Sequence, residues 1–143
     1  LLGMPVEKFF FREIPVCQDS SSTGCFMSWR TYRQGYHSNT ISPDDSTISV
    51  INQLSWNNVP ETIPAKEHKG AELYNFNKIY KQTQNASISG NVLWITKPRF
   101  PGGFFFFRKN YHPGDVNLFY MNIREDVRRR IDHYFQIKNH NPA

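Results

Sequence analysis

With 143 residues, of which 38% are hydrophobic and 20% charged, the chain has the composition of one globular domain rather than of a disordered protein. No apolar run approaches the ~18 residues that a membrane-spanning helix requires, and no nucleic-acid-binding motif accompanies the net charge of +5. The excess positive charge lies in one C-terminal segment, so we predict a solvated helix face and no nucleic-acid partner; its residues are Arg124, Arg128, Arg129 and Arg130.

The first third of the chain alternates apolar segments with polar loops. Residues 1–6 have the composition of a buried strand with no leader before it, so we expect the chain to be part of a longer protein. Residues 7–16, which include three phenylalanines, fit either a helical turn or an extended arm. Two segments rich in aromatic or β-branched residues, 25–32 and 47–51, predict further strands.

Two cysteines, Cys17 and Cys25, flank a polar loop of seven residues. A short loop can bring two cysteines within bridging distance, and no histidine lies near them at the spacing of a metal site. We therefore predict a disulfide, which would indicate an oxidising compartment. The alternative is a pair of reduced, half-buried thiols.

The middle of the chain contains a polar, lysine-rich segment, 65–90, with weak helical character at 71–80. We predict that this segment is a surface insertion. The apolar segments 91–96 and 104–107 follow it, and the prolines and glycines between them predict an antiparallel hairpin.

Apolar residues recur every four positions from 117 to 135. This period predicts an amphipathic helix that packs on the sheet through Phe119, Ile123, Val127, Ile131 and Phe135. The predicted fold is a single α/β domain over 1–143, with strands of a mixed sheet, a β-hairpin insertion and a C-terminal packing helix.

Five histidines are the first candidates for chemistry. His68 lies in the predicted insertion and His140 in the tail, so both are expected to be solvated. His133 lies near the end of the C-terminal helix, whose dipole favours a cation, and His37 lies in a loop. The sequence has no Gly-x-Ser-x-Gly elbow, phosphate loop, dinucleotide fingerprint or metal-ligand cluster, so we predict neither a metal nor a cofactor.

His112 stands in a short loop between an apolar segment and the long helix. Loops at strand ends in α/β sheets are where catalytic groups collect. Asp115, three residues further on, could orient the imidazole or cap the helix. From these residues alone, a structural loop histidine is the better explanation of His112. The adjacent carboxylates Asp44 and Asp45 follow a proline and are better explained by a solvated turn.

Several short segments together resemble a domain-of-unknown-function family of bacterial α/β-hydrolase-like proteins, often described as lipase-like. The segments span the chain apart from 65–90 and are VCQ (16–18), TGC (23–25), SWRT (28–31), LSW (54–56), VLW (92–94), NYH (110–112), DVNLFY (115–120) and NIR (122–124). Asn52-Gln53 stands where the family has Asn-Pro, so the chain departs from the family at Gln53.

The resemblance implies a serine hydrolase in which the nucleophile comes first in the chain, then the acid, then the histidine. The serine would lie in an N-terminal portion before Leu1, and His112 would be the general base. The acid stays open between Asp115, as acid or orienting partner, and Asp45 or Asp44. The substrate would be an ester or lipid-like molecule, the protein would be exported to the periplasm or cell envelope, and this chain alone would be inactive.

The rival interpretation is a non-catalytic module that binds a glycan or another protein. A compact basic domain with 15% aromatic residues also suits such a binding surface. A nucleophile elbow upstream of Leu1 would favour the hydrolase, and a domain boundary there would favour the module.

Overall fold

The computed structural model describes residues 4–39, 41–42, 45–103 and 107–140. Its elements, in chain order, are strands β1 (Thr31–Arg33), β2 (Ala71–Glu72), β3 (Ile79–Tyr80), β4 (Ala86–Ser89) and β5 (Val92–Ile95), then helices α1 (Asp115–Leu118) and α2 (Tyr120–His140), with 3-10 turns at Ala65–Glu67 and His112–Gly114. The protein therefore combines helices with a mixed sheet, as the sequence predicts. Neither helix in the described part of the chain is long and apolar enough to cross a bilayer.

The central sheet has the order β1-β5-β4, with β1 parallel and β4 antiparallel to β5. A two-residue turn, Gly90 and Asn91, joins β4 to β5, and Gly90 has the positive φ of 63° that such a turn favours. The strand predicted over 91–96 is confirmed as β5. Its hairpin partner, however, is β4 on its N-terminal side, and three residues of the predicted partner 104–107 lie outside the described residues.

The strands predicted nearer the N-terminus are shorter than expected. Of 25–32 only the last two residues enter β1, and 47–51 contributes a single bridge from Ile48 to Glu7. In the first predicted strand, 4–6 form no strand and 1–3 lie outside the described residues. Proline at positions 5 and 15 lacks the N–H that a ladder needs, so pairing does not extend through this part of the chain.

The segment 65–90, predicted as a surface insertion, is exposed over 74–79 but also contributes several residues to the interior. It supplies β2, β3 and β4, and His68, Thr83 and Gln84 are 1–2% exposed. His68 Nε2 donates to Leu118 O at 2.7 Å, Gln84 Nε2 donates to the same oxygen at 3.1 Å, and Thr83 N donates to His68 Nδ1 at 3.2 Å. Three polar side chains of the segment therefore form a buried hydrogen-bond network, and the expectation that His68 is solvated is wrong.

The buried His68 makes stability depend on pH. Burial lowers the pKa of His68 below its ordinary 6.5. As the pH falls below that value, the histidine is therefore protonated in the unfolded chain before it is protonated in the folded one. We expect the free energy of unfolding to decrease as the pH is lowered from about 7 to about 5, and His68→Gln to flatten this dependence. Urea titrations at several pH values measure it; parallel curves for the two proteins would contradict the assignment.

The predicted C-terminal helix exists, but it breaks at Phe119 and continues to residue 140. The loop before β2 caps α2 at this break: Met121 N donates to Gly70 O at 3.0 Å, and the Asn122 amide bonds the backbone of Lys69 and Glu67. A Cβ at Gly70 would lie 2.2 Å from Ile79 Cγ2 on β3 and 3.3 Å from Met121 Cγ on α2, so this loop runs as close to β3 as only glycine permits.

The apolar stripe of α2 packs on the core only near its start. Phe119, just before α2, is fully buried and Ile123 packs partly against the core, but Val127, Ile131 and Phe135 are 49%, 50% and 55% exposed. The predicted burial of the whole stripe is therefore wrong. Further along α2, polar side chains bond the helix to the rest of the molecule.

A buried carboxylate and two arginines hold the middle of α2 to the disulfide loop. Asp126, 1% exposed, accepts hydrogen bonds from Arg129 and from Arg130 Nε, the latter at 2.6 Å. Arg130 also donates to the carbonyl oxygens of Ser22 and Asp19, and Arg129 donates to that of Ser20. Part of the arginine cluster predicted as a solvated face is therefore engaged in intramolecular contacts.

The loop that α2 contacts is closed by the predicted disulfide, since Cys17 and Cys25 are bonded with their Cα atoms 5.0 Å apart. A cross-link around so short a loop is expected to stabilise the fold by about 2–3 kcal/mol. The free energy of unfolding of the double variant Cys17→Ser/Cys25→Ser, measured by urea denaturation, should be lower by this amount. Intact mass before and after reduction checks the bridge itself, and two alkylatable thiols in the native protein would contradict it.

Candidate active site

The backbone that carries His112 runs along β1. Arg33 N donates to Lys109 O at 2.8 Å and Tyr111 N donates to Thr31 O at 3.0 Å. These bonds bring the start of the 3-10 turn His112–Gly114 to the edge of the central sheet. Asn110 Oδ1 accepts the His112 N–H at 3.1 Å and fixes the turn. The sheet therefore positions the histidine, which lies at the junction between sheet and helix that the sequence predicts.

A short contact joins His112 to Asp115. His112 Nδ1 lies 3.0 Å from Asp115 Oδ2, and the two side chains are 25% and 0% exposed. A carboxylate at this position accepts a hydrogen bond from Nδ1–H and so favours the tautomer whose Nε2 carries a lone pair. No described residue is hydrogen-bonded to Nε2. Asp115 thus fixes the orientation of the imidazole through Nδ1, and Nε2 can act as a base.

Asp115 occupies an unusual environment for a carboxylate. Burial raises its pKa above the ordinary 3.8, while the nearby Thr31 on β1 and the hydrogen bond with His112 oppose this shift. An imidazolium at His112 would supply the neighbouring charge that an ionised Asp115 needs in this buried position. The pair therefore suits a reaction in which His112 becomes transiently protonated.

The alternative acid is engaged elsewhere. Asp45 Oδ1 accepts hydrogen bonds from Thr47 N at 3.0 Å and from Thr47 Oγ1 at 2.6 Å, and these bonds lower the pKa of Asp45. It forms a local turn, as its residues favour, and among the described residues it makes no contact with His112. Asp44 lies outside the described residues. The structure thus brings His112 together with Asp115 and not with Asp45.

An aromatic cleft of 510 Å³ adjoins the histidine turn. Pro113 and Gly114, which directly follow His112, form one border of this cleft. Four aromatic side chains line it, three from distant segments and one next to His112: Tyr74, Phe76, Phe100 and Tyr111. The rings of Tyr74 and Phe100 lie 5.9 Å apart, and Tyr74 donates a hydrogen bond to Pro101 O at 2.9 Å. Sequence reasoning missed Tyr74 and Phe76, because they belong to the supposed insertion.

The other histidines and the acidic residues are dispersed. His133 Nδ1 lies 2.6 Å from Ser21 O, and His37 is exposed in the loop after β1. Within the described ranges, no three His, Cys, Asp or Glu side chains come together as a metal site.

Neither the family models, the curated proteins nor the solved structures include a match to this chain.

Proposed function

We propose that this chain supplies the histidine and the acid of a serine esterase whose nucleophilic serine lies in an N-terminal portion of the same protein. The observation that carries the proposal is the 3.0 Å contact between His112 Nδ1 and the buried Asp115 Oδ2. A buried acid behind a partly exposed imidazole is the arrangement in which Nε2 acts as a general base. The resemblance of the segments around both residues to lipase-like proteins supports the same assignment.

In the proposed reaction, His112 Nε2 accepts the serine proton as the serine oxygen attacks the ester carbonyl. The Asp115 carboxylate stabilises the imidazolium that forms, and the imidazolium gives its proton to the departing alcohol. Water then attacks the acyl-serine, His112 accepts a proton from this water, and the serine recovers a proton when the acid product leaves. His112 thus returns to its starting state in each cycle.

The cleft beside His112 suits an acyl group. Its four aromatic side chains offer an apolar surface that the histidine turn borders at Pro113 and Gly114, so a hydrocarbon chain fits there with its ester at the turn. We therefore expect an ester or lipid-like substrate. The disulfide suits an oxidising compartment, and we propose that the protein works in the periplasm or cell envelope.

The test uses the longer protein that contains this chain, with p-nitrophenyl butyrate as substrate and a fluorophosphonate as a serine-reactive label. We expect hydrolysis of the ester and labelling of one serine upstream of Leu1. Alanine at the labelled serine is the matched control, and this chain alone should neither hydrolyse nor react. A longer protein that does neither would contradict the proposal, and a labelled serine within this chain would contradict the division of the triad.

A further inference from the structure

A second cleft opens on the outer face of the central sheet. Tyr32, Trp94 and Ser87 are register partners on β1, β5 and β4, so their side chains share one face. The neighbouring residues Leu93 and Ile88 belong instead to the buried core cluster on the other face. The outer face thus presents a tyrosine, a tryptophan and a serine in one row.

The aromatic rings of this face are fixed in place. Tyr36, from the loop after β1, stacks on Tyr32 with ring centroids 5.2 Å apart and ring planes at 9°. Tyr32 also approaches Trp94, with centroids 6.4 Å apart, and Trp94 Nε1 donates to Ser89 O at 3.1 Å. Because these contacts exist before any ligand arrives, little conformational entropy is lost when one binds.

The space between this loop and the sheet measures 490 Å³. Tyr36 and Trp94 border it together with amide, imidazole and hydroxyl groups, contributed by Gln34, His37, Asn39 and Ser87. Although the chain carries a net charge of +5, none of the described residues that line this cleft is an aspartate, glutamate, lysine or arginine. Such a lining combines apolar ring faces with uncharged hydrogen-bonding groups.

We infer that this cleft binds a neutral saccharide, with a sugar ring against Tyr36 and Trp94 and its hydroxyl groups bonded to the amides of Gln34 and Asn39. A sugar ring has apolar C–H faces and a hydroxyl-bearing edge, so it uses both parts of the lining. A fatty acyl chain would leave the amides unpaired, and an anion would find no lysine or arginine there. The site does not involve His112 and is independent of the proposed esterase activity.

Tryptophan fluorescence reports on this site, because Trp94 is half-buried whereas Trp29 and Trp56 are only 7% and 6% exposed. The folded chain is titrated with cellotetraose, maltotetraose, xylotetraose and chitotetraose, each to about 10 mM. We expect a saturable change in fluorescence with at least one of them. No saturable change with any of the four overturns the inference.

Two variants locate the binding. Tyr36→Ala and Asn39→Ala are each expected to weaken it at least about 10-fold, which corresponds to about 1.4 kcal/mol. Asn39 is exposed, so its variant tests the site even where loss of the Tyr36 ring disturbs the fold. Tyr74→Ala makes a tyrosine-to-alanine change in the other cleft and should leave binding unchanged.

Three further outcomes, the last from titrations with adenosine and tetragalacturonic acid, would also overturn the inference. A loss in Tyr74→Ala alone would put the sugar in the aromatic cleft beside His112. Unchanged binding in both Tyr36→Ala and Asn39→Ala would remove it from the sheet face. Tighter binding of adenosine or of tetragalacturonic acid than of all four sugars would mean that the ligand is not a neutral saccharide.

Discussion

Replacing His112 with alanine in the longer protein is expected to lower the turnover of a short-chain nitrophenyl ester by at least about 100-fold, since general acid–base catalysis supplies that much. Because the variant also removes the partner of the buried Asp115, we expect a lower melting temperature, and turnover is compared at a temperature at which both proteins are folded. A histidine with only a structural role would reduce stability but leave the turnover of the folded protein near normal.

Two further variants test the assignment of the acid and of the general base. Asp115→Asn should also reduce turnover, because an amide that donates to Nδ1 would favour the wrong imidazole tautomer. His37→Ala replaces an exposed histidine away from the dyad and should leave turnover near normal. If His112→Ala retained its activity while His37→Ala lost it, the role of general base would pass to His37.

Phe119→Ala is expected to destabilise the protein by about 3–5 kcal/mol, because a fully buried phenylalanine leaves a large cavity when truncated. Ile131→Ala, a truncation on the same predicted stripe, should change the free energy of unfolding by no more than about 0.5 kcal/mol, since Ile131 is 50% exposed. Ile123, which packs partly on the core, should give an intermediate value. Urea denaturation with the disulfide intact measures all three.

This series separates the observed packing from the simpler picture of a helix buried along its whole apolar face. Similar losses in the free energy of unfolding for Phe119→Ala and Ile131→Ala would indicate that the helix is buried along its whole apolar face. A large loss at Ile131 in the isolated chain would mean that α2 contacts the body along more of its length than the structure describes.

The features that the sequence predicts well are those encoded over short distances. The Cys17–Cys25 bridge, β5 and the long C-terminal helix each depend on neighbouring residues, and all three are present. The contact between His112 and Asp115 also belongs to this class, because the two residues lie three positions apart in one turn. Their proximity was predictable, although the burial of Asp115 was not.

The features that sequence reasoning missed depend on partners far along the chain. His68 is buried because its acceptor, Leu118 O, lies 50 residues away, and a polar segment gives no sign of such a partner. The period of the apolar residues in α2 identifies a face but not what covers it, so Val127 and Ile131 were wrongly expected in the core. The aromatic cleft likewise joins Tyr74 and Phe76 to residues near His112 across a long stretch of chain.

The contacts between α2 and the disulfide loop have a redox consequence. Arg129 and Arg130 bind carbonyl oxygens of residues 19–22, which lie between the two bridged cysteines. If formation of the disulfide stabilises the contact between α2 and the loop, this contact must stabilise the disulfide by the same free energy, because coupling between two equilibria is reciprocal. The cysteine pair should therefore have a lower reduction potential in the folded protein than in an isolated peptide of the same loop. The arginines of a helix more than 100 residues away would thus help to keep two sulfur atoms oxidised.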